Sequence, residues 1–464
     1  MTAAPSEPSE PSGCSLPSPP CLPSPPSPPS PPFLPDDRAL TPDGTTASGA
    51  APPPDGALTI VRLANFVTPV SGGLRTALRH LGAGYRAAGH RPVLIVPGER
   101  RSEEETEQGV VVTLPGPVLP ASGGYRLLTD RRAVAAELTR FSPDRLEVSD
   151  RTTLRWTGAW ARRHGVRSVM VSHESASGLL RTWGLPGPLA GTAADRLNAA
   201  TARAYDSVLC TTDWAAAEFR RIGTPNLVRA PLGVDLDAMR PLPSAARAAQ
   251  RARYAAPDEP LLVLCSRLSA EKRPERALEA LAALRARRRP AVLVVAGTGP
   301  LRERLAARAA RLRLPVRFLG HLGGRAELAR LLGCADVVLA PGPVETFGLA
   351  AMEALACGTP VAVSRSSALP GLVGLAGVAA VDTGAGFAAA VGQLLDRPER
   401  TRRAAARAQA ERYGWPAAVA AFLAAHGVRH GRAADRVRGH EAARGPLDDD
   451  AADGGRDEHA GRRA

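Results

Sequence analysis

The sequence predicts an α/β protein of two Rossmann-like domains facing across a cleft, with disordered tails at both ends. Two observations carry that prediction. Short apolar runs such as RPVLIVPG (91–98) and AVLVVAG (291–297) alternate with Ala/Arg-rich helical stretches, the pattern of parallel strands covered by helices. Strand–glycine turn–helix units open near Leu58 and again at Leu261. The 464 residues suffice for two or three domains with large cores. Residues 1–55 repeat Pro and Ser, as in PSPPSPPSPP, and hold too little apolar surface to offset the entropy of ordering. Residues 428–464 are charged and equally core-poor, and their Asp448–Asp450 run is no metal site in that context.

The first domain (56–235) begins with the buried-strand pattern TIVRLANFV, a loop from Thr68 to Gly73 and a helix from Leu74. Leu74, Leu78, Leu81 and Tyr85 share one helix face, and Arg75, Arg79 and Arg86 share another. The arginine face reads as solvated surface, with anionic lipid as the minor alternative. Gly72 and Gly73 let the backbone approach a phosphate, although the loop is not a GxGxxG. Strands follow at 91–98, 109–115, 145–150 and 168–175. The last two end in polar residues, and open α/β sheets bind ligands at the carboxyl ends of strands. Asp150 and His173 sit at such ends, and His173 lies on no apolar face, which favours a functional role. The structural reading of Asp150-Arg151 is a helix cap with a salt-bridging neighbour. Residues 233–258, polar and partly helical, read as the linker.

The second domain (236–427) opens with LLVLCSRLSAEKRPERALEAL (261–281) as strand, loop and helix. Lys272 is the only lysine among 59 basic residues. In a chain that otherwise uses arginine, it marks a position where a compact ammonium is needed. Gly297 and Gly299 form a strand-end GxG turn that lets backbone pass close to a nucleotide. Strands at 316–322 and 335–340 lead to APGPVETFGLAAMEALACGTPVAV (340–363), after which the sheet tapers beyond 373 and a final helix spans 415–426.

That stretch carries the chemistry. Glu345 lies in the loop before a short helix and Glu353 within it, eight positions and roughly 12 Å of helical rise apart. The helix start, around Thr346, Phe347 and Gly348, offers unpaired amides and a positive dipole end to an anion. One carboxylate for sugar hydroxyls, amides for phosphate and a second carboxylate for a ribose make a nucleotide-sugar site. On spacing alone, a capped core helix with two surface glutamates explains the pattern equally well.

A formal charge of +14 ordinarily points to nucleic acid or acidic membranes. Here the arginines scatter over helix faces and tails without interleaved aromatics, which argues against nucleic acid. Cys14, Cys21, Cys210, Cys265, Cys334 and Cys357 form no CxxC pair and suggest free thiols in a reducing compartment. No run of 18 or more apolar residues and no signal-peptide pattern is present, so the expected location is cytoplasmic, peripheral at most on the cytoplasmic face of a membrane.

The E-x7-E at Glu345 and Glu353, with Arg267 and Lys272 upstream, resembles the signature of the retaining glycosyltransferases of family 4, which have the two-domain GT-B fold. The resemblance spans residues 58–427. It is nearest to the GDP-mannose-dependent branch that extends phosphatidylinositol mannosides, on LANFVTPVSGGLRTALRHLGAGY, GGYR (123–126), LEVSDRTTLR, VMVSHES and PLGVDL. It implies mannose transfer from GDP-mannose to a lipid inositol mannoside, with retention of configuration and no dedicated base. It implies that Arg267 and Lys272 face the donor diphosphate with Gly72, Gly73, Thr346, Phe347, Gly348 and Leu349. Glu345 and His173 would orient the sugar, Glu353 would hold the ribose, and Gly320 and His321 would lie near the base. Tyr125, Arg126, Asp150 and Arg151 are acceptor-side candidates. The resemblance further implies a reaction without cofactor or metal. Three rivals stay open: a UDP-N-acetylglucosamine-dependent inositol-phosphate transferase, a phosphorylase using Lys272 to hold pyridoxal phosphate, and a non-catalytic module binding lipid or nucleic acid through its basic faces.

Overall fold

The computed structural model describes residues 56–67, 72–119, 124–182 and 184–428. The expectations for residues 1–55, for 429–464 and for Thr68–Ser71 fall outside the described residues.

Fourteen strands among the described residues form two sheets. The first contains β1 (Thr59–Leu63), β2 (Arg91–Gly98), β3 (Ser102–Thr106), β4 (Gly109–Pro115), β5 (Arg145–Val148), β6 (Arg167–Ser172), β7 (Ser207–Cys210) and β8 (Leu227–Arg229). Their order is β3-β4-β2-β1-β5-β6-β7-β8. The second contains β9 (Leu261–Cys265), β10 (Val292–Ala296), β11 (Val316–Gly320), β12 (Val337–Ala340), β13 (Val361–Ser364) and β14 (Gly377–Ala380), in the order β11-β10-β9-β12-β13-β14. All pairings are parallel except β3 with β4. Parallel strands are covered on both faces, which is why runs such as LLVLC and VLVVA carry no polar alternation.

Two strands carry little sequence signal. SEEET (β3) is mostly exposed and acidic, a charged edge rather than an apolar run, and charge on an edge strand blocks further pairing. GVAA (β14) extends the second sheet past 373, where the sequence suggested tapering; it is short and Ala-rich, so its apolar signal is weak.

Each sheet reverses direction at its first strand: β1 lies between β2 and β5, and β9 between β10 and β12. Ligand crevices form at the carboxyl ends of strands at such points. The loops after β1, β5, β6, β9, β10, β11 and β12 all contribute residues to one cleft.

Gly297, which lines the cleft, and Gly299 also set their turn against a neighbouring loop. At φ of 141° and 154°, they press their turn against the loop after β9, where an added Cβ would lie 1.9 Å from the Ser266 carbonyl oxygen and 2.5 Å from that of Leu268. The two loops are tied by backbone bonds from Ser266 to Ala296 and from Leu268 to Thr298. Gly297→Ala is expected to cost about 2–3 kcal/mol, because a backbone neighbour cannot swing aside as a side chain can. A lowered denaturation midpoint checks this.

The final helix, Trp415–Ala425, packs on the first domain's opening helix, Gly73–Ala87. The His80 ring stacks on Trp415 at 4.6 Å between centroids. Gly84 has no room for a side chain, since its Cβ would lie 2.3 Å from Val419. Beyond this helix, His426 reaches into the first sheet, where its Nε2 is 3.3 Å from Oε2 of Glu147. Glu147 also accepts from Arg62 Nε at 3.0 Å and from the Tyr85 hydroxyl at 2.7 Å. Burial disfavours its charge, yet Arg62 and the bonds from His426 and Tyr85 hold its carboxyl well below the usual carboxylate range.

Candidate functional site

The cleft has a volume of about 460 Å³ and is lined from both sheets. Its floor on the second-domain side is the helix Leu349–Ala356. Gly348 precedes that helix with φ 68° and ψ 60°, and no side chain caps it. The first-turn amides at Leu349 and Ala350 therefore open towards the cleft, with the helix dipole behind them. A Cβ on Gly348 would lie 2.6 Å from Leu369 and 3.1 Å from Glu345 Cγ, so glycine is required on both conformational and steric grounds.

Lys272 closes a 3-10 turn, Ala270–Lys272, and its Nζ donates to both Glu345 oxygens at 2.7 and 2.9 Å. Both side chains are about a quarter exposed. Arg267 is more open; it donates to Glu271 at 3.0 Å, and its guanidinium lies 5.4 Å from the centre of the Tyr125 ring. Tyr125 in turn meets Phe66 edge to face at 5.9 Å. A first-domain aromatic pair thus abuts a second-domain cation across the cleft.

His173 sits at the end of β6 with Nε2 3.1 Å from the Ser149 hydroxyl, which lies at the end of β5. Burial pushes its imidazole down to about 4, helped by Arg62 and Arg151 and opposed by Glu147. The ring is neutral at physiological pH and holds one donor and one acceptor nitrogen. Its carbonyl accepts from the Thr346 hydroxyl, a bond that joins the two domains beside the helix start.

Glu353 is nearly buried beneath the cleft. Arg325 NH1 lies 3.5 Å from its carboxylate, and Arg325 NH2 lies 3.4 Å from Asp235. Burial pushes Glu353 up to about 7, with Arg325 pulling down and Asp235 pushing up. A raised folded-state pKa favours the fold at low pH, and that contribution fades as pH rises through about 7. For ligand binding the sign is reversed, because the carboxylate is the form that accepts from ribose hydroxyls. Nucleotide affinity is expected to fall from about pH 8 to about pH 6, and Glu353→Gln should flatten that dependence. Titration calorimetry over that range checks it.

The cleft brings together Gly72, Gly73, Tyr125, His173, Arg267, Lys272, His321, Glu345, Thr346, Phe347, Gly348, Leu349 and Glu353. Four candidates lie elsewhere. Asp150 is buried, accepting from Thr152, Thr153 and the Leu154 amide; these bonds hold the turn ahead of helix Trp156–Arg163, whose N-cap position is Arg155 without a side-chain cap, so the expected helix cap is not formed. Arg151 is buried too, bound to Asn198, Ser172 and the Glu174 carbonyl, so it braces the wall rather than facing an acceptor. Arg126 pairs with Glu99 at 3.0 Å and with the Gly116 carbonyl. Gly320, next to His321, is half-buried, and its carbonyl accepts from the Gly297 amide. The sequence reading missed Ser149, Glu174 and Arg325, all of which line the cleft. Arg325 was one arginine among many, and only the fold sets it beside Glu353. Cys265 also lines the cleft, but burial pushes its thiol up to about 12, so it is unreactive. Lys272 engages a carboxylate rather than standing in an apolar pocket, which weakens the Schiff-base alternative. Among the described residues, no cluster of metal-ligating side chains occurs, and no helix is long and apolar enough to cross a membrane.

Comparison with known proteins bears on both domains. Residues 72–233 match the family described as glycosyl transferase 4-like domain, and residues 246–411 match glycosyl transferases group 1. The chain is 48% identical over 371 residues to the GDP-mannose-dependent alpha-(1-6)-phosphatidylinositol dimannoside mannosyltransferase of Mycobacterium tuberculosis, covering 80% of this chain and 96% of that protein. It is 36% identical over 240 residues to a D-inositol 3-phosphate glycosyltransferase of Catenulispora acidiphila, covering 47% of this chain and 55% of that one. Among solved structures, the sucrose-phosphate synthase of Thermosynechococcus elongatus superposes with a TM-score of 0.65 at 20% identity, over 83% of this chain and all of that one, a likeness of fold.

Proposed function

Because the chain belongs to the retaining glycosyltransferases of family 4, we propose that it transfers mannose from GDP-mannose to a phosphatidylinositol mannoside lipid. The observation that carries this reading is the 48% identity to the dimannoside mannosyltransferase across 96% of that protein's length. That match includes the first domain, where the acceptor would bind. The inositol-phosphate glycosyltransferase matches less than half of this chain, which favours the lipid reading over the UDP-N-acetylglucosamine alternative.

In this proposal the diphosphate lies over the first-turn amides at Leu349 and Ala350, with Arg267 and Lys272 as its counter-charges. The bond between the mannose anomeric carbon and the phosphate oxygen breaks, and the acceptor oxygen joins that carbon on the same face. The acceptor's proton passes to the departing phosphate oxygen, so no separate base is needed. Charge grows on the leaving GDP as the bond breaks, and cations and amides aimed there act most strongly in the transition state. Glu345, held by Lys272, accepts from sugar hydroxyls. Neutral His173 orients the sugar, and Glu353 takes the ribose. Neutralisation by protein groups replaces a metal, and turnover unchanged by a chelator tests that point.

Thermal shift with GDP, UDP and ADP tests the donor. A ligand specific for the folded state at about 100 times its Kd adds about 2.7 kcal/mol of stability, which is readily measured. Stabilisation by GDP and GDP-mannose alone is the expected result. Selective stabilisation by UDP would transfer the function to the N-acetylglucosamine branch.

A further inference from the structure

We propose that Glu174 selects the acceptor: its carboxylate takes the hydroxyl groups of an uncharged sugar ring and turns away a ring that carries a phosphate. The inference rests on the transferase reading above and concerns the acceptor half of the same cleft. Glu174 follows His173 beyond the end of β6, lines the cleft and is half-buried. Its main chain is fixed on both sides. The carbonyl accepts from Arg151 Nη2 at 2.8 Å and from the Ser172 hydroxyl at 3.1 Å, and the His173 carbonyl before it is held by Thr346 of the second domain. Among the described residues, three glutamates line the cleft. Glu345 has Lys272 and Glu353 has Arg325. The Glu174 carboxylate has no hydrogen bond or ion pair among the described residues.

Burial pushes the Glu174 carboxyl above its usual range, with Arg151 pulling down and Asp150 and Glu218 pushing up. Arg151 gives the carboxylate no bond, because its guanidinium is taken up by Asn198, Ser172 and the Glu174 carbonyl. A half-buried carboxylate without donors is unfavourable, and a ligand that brings donors relieves it. Sugar hydroxyls do so, since an ionised carboxylate only accepts, and two neighbouring hydroxyls of one ring can meet its two oxygens. A phosphate brings more negative charge to the same place and no donor. Among the described residues, the first-domain lining of the cleft holds no lysine or arginine to meet it. The cleft's cations, Arg267, Lys272 and Arg325, come from the second domain, where the donor lies in the reading above. In a phosphatidylinositol mannoside the mannose rings are uncharged, and such a reacting ring suits this wall. Inositol 3-phosphate, which carries its phosphate on the reacting ring, does not.

Steady-state kinetics of the full chain tests this, with GDP-mannose as donor and phosphatidylinositol dimannoside as acceptor. Glu174→Gln and Glu174→Ala are each expected to raise the acceptor KM about tenfold or more, the scale of losing a hydrogen bond to a charged group. The GDP-mannose KM should stay within about twofold and kcat should change little, because the contact holds the acceptor equally before and during transfer. Glu174→Asp keeps the charge and should recover part of the acceptor KM. Mannose 6-phosphate as an inhibitor reads the charge: relative to mannose, it should gain about fivefold in the glutamine variant. Stabilisation by GDP reports that each variant is folded. An unchanged acceptor KM in both variants, or an equal rise in the GDP-mannose KM, overturns the inference and leaves the functional reading intact. A parent chain that transfers nothing from GDP-mannose would refute the functional reading, and this inference with it.

Discussion

Replacing Lys272 by alanine is expected to lower turnover about a hundredfold or more, the scale on which loss of one group aimed at developing charge is felt. Two effects combine. The ammonium that would meet the departing diphosphate is gone, and Glu345 loses the partner bonded to both its oxygens at 2.7 and 2.9 Å. An unpaired carboxylate then faces the incoming diphosphate and repels it. Since the first effect grows as the bond breaks, kcat should fall further than KM rises. Lys272→Arg separates charge from shape: it keeps the cation but puts a wide planar fork where a compact ammonium spans one carboxylate. A partial rescue in that variant supports the electrostatic role, and near-normal turnover in the alanine variant would remove Lys272 from the chemistry.

The second large effect concerns stability. Glu147→Ala is expected to destabilise the protein by about 3–5 kcal/mol, the usual cost of breaking a buried ion pair from one side. Arg62 would be left charged at 1% exposure, with the Tyr85 hydroxyl and His426 also losing their shared acceptor. Glu147→Gln keeps the shape and some of the bonds, so it should cost less. Chemical denaturation of both variants measures this. The pH sign is defined too: Glu147 is held below its usual value, so its contribution is complete above about 4.5 and is lost as pH falls further. The alanine variant should therefore lose part of the parent's acid sensitivity. His426 follows the final helix, so the same variant is also expected to loosen that helix from the first domain, visible as faster hydrogen exchange in 415–425.

The strands were legible wherever they were apolar on both faces, and 91–98 and 109–115 emerge with the bounds the sequence suggested. An exposed acidic edge such as SEEET and a four-residue GVAA carry no such signal, since pairing there depends on a neighbour already in place. Lys272 and His173 stood out by residue type and by position near a strand end, whereas the two glutamates were singled out by the E-x7-E resemblance, since their spacing alone fits a capped helix equally well; all four line the cleft. Arg325, Ser149 and the Glu147 network were not legible. Their meaning lies in contacts over long sequence separations, such as Arg325 with Glu353 or His426 with Glu147, which no local pattern records. Asp150-Arg151 shows the converse, a polar strand end that the fold uses for bracing. Gly297 and Gly299 were recognised as special, but their close approach to the neighbouring loop is a long-range contact that the local pattern did not record.

The central claim is tested most directly by incubating the purified chain with GDP-mannose and a phosphatidylinositol dimannoside, and reading the product's new anomeric centre by NMR. The account predicts one added mannose in the α configuration of the donor, GDP as the co-product, and no product from UDP-N-acetylglucosamine. A β-linked product, or transfer from the UDP sugar alone, would contradict it.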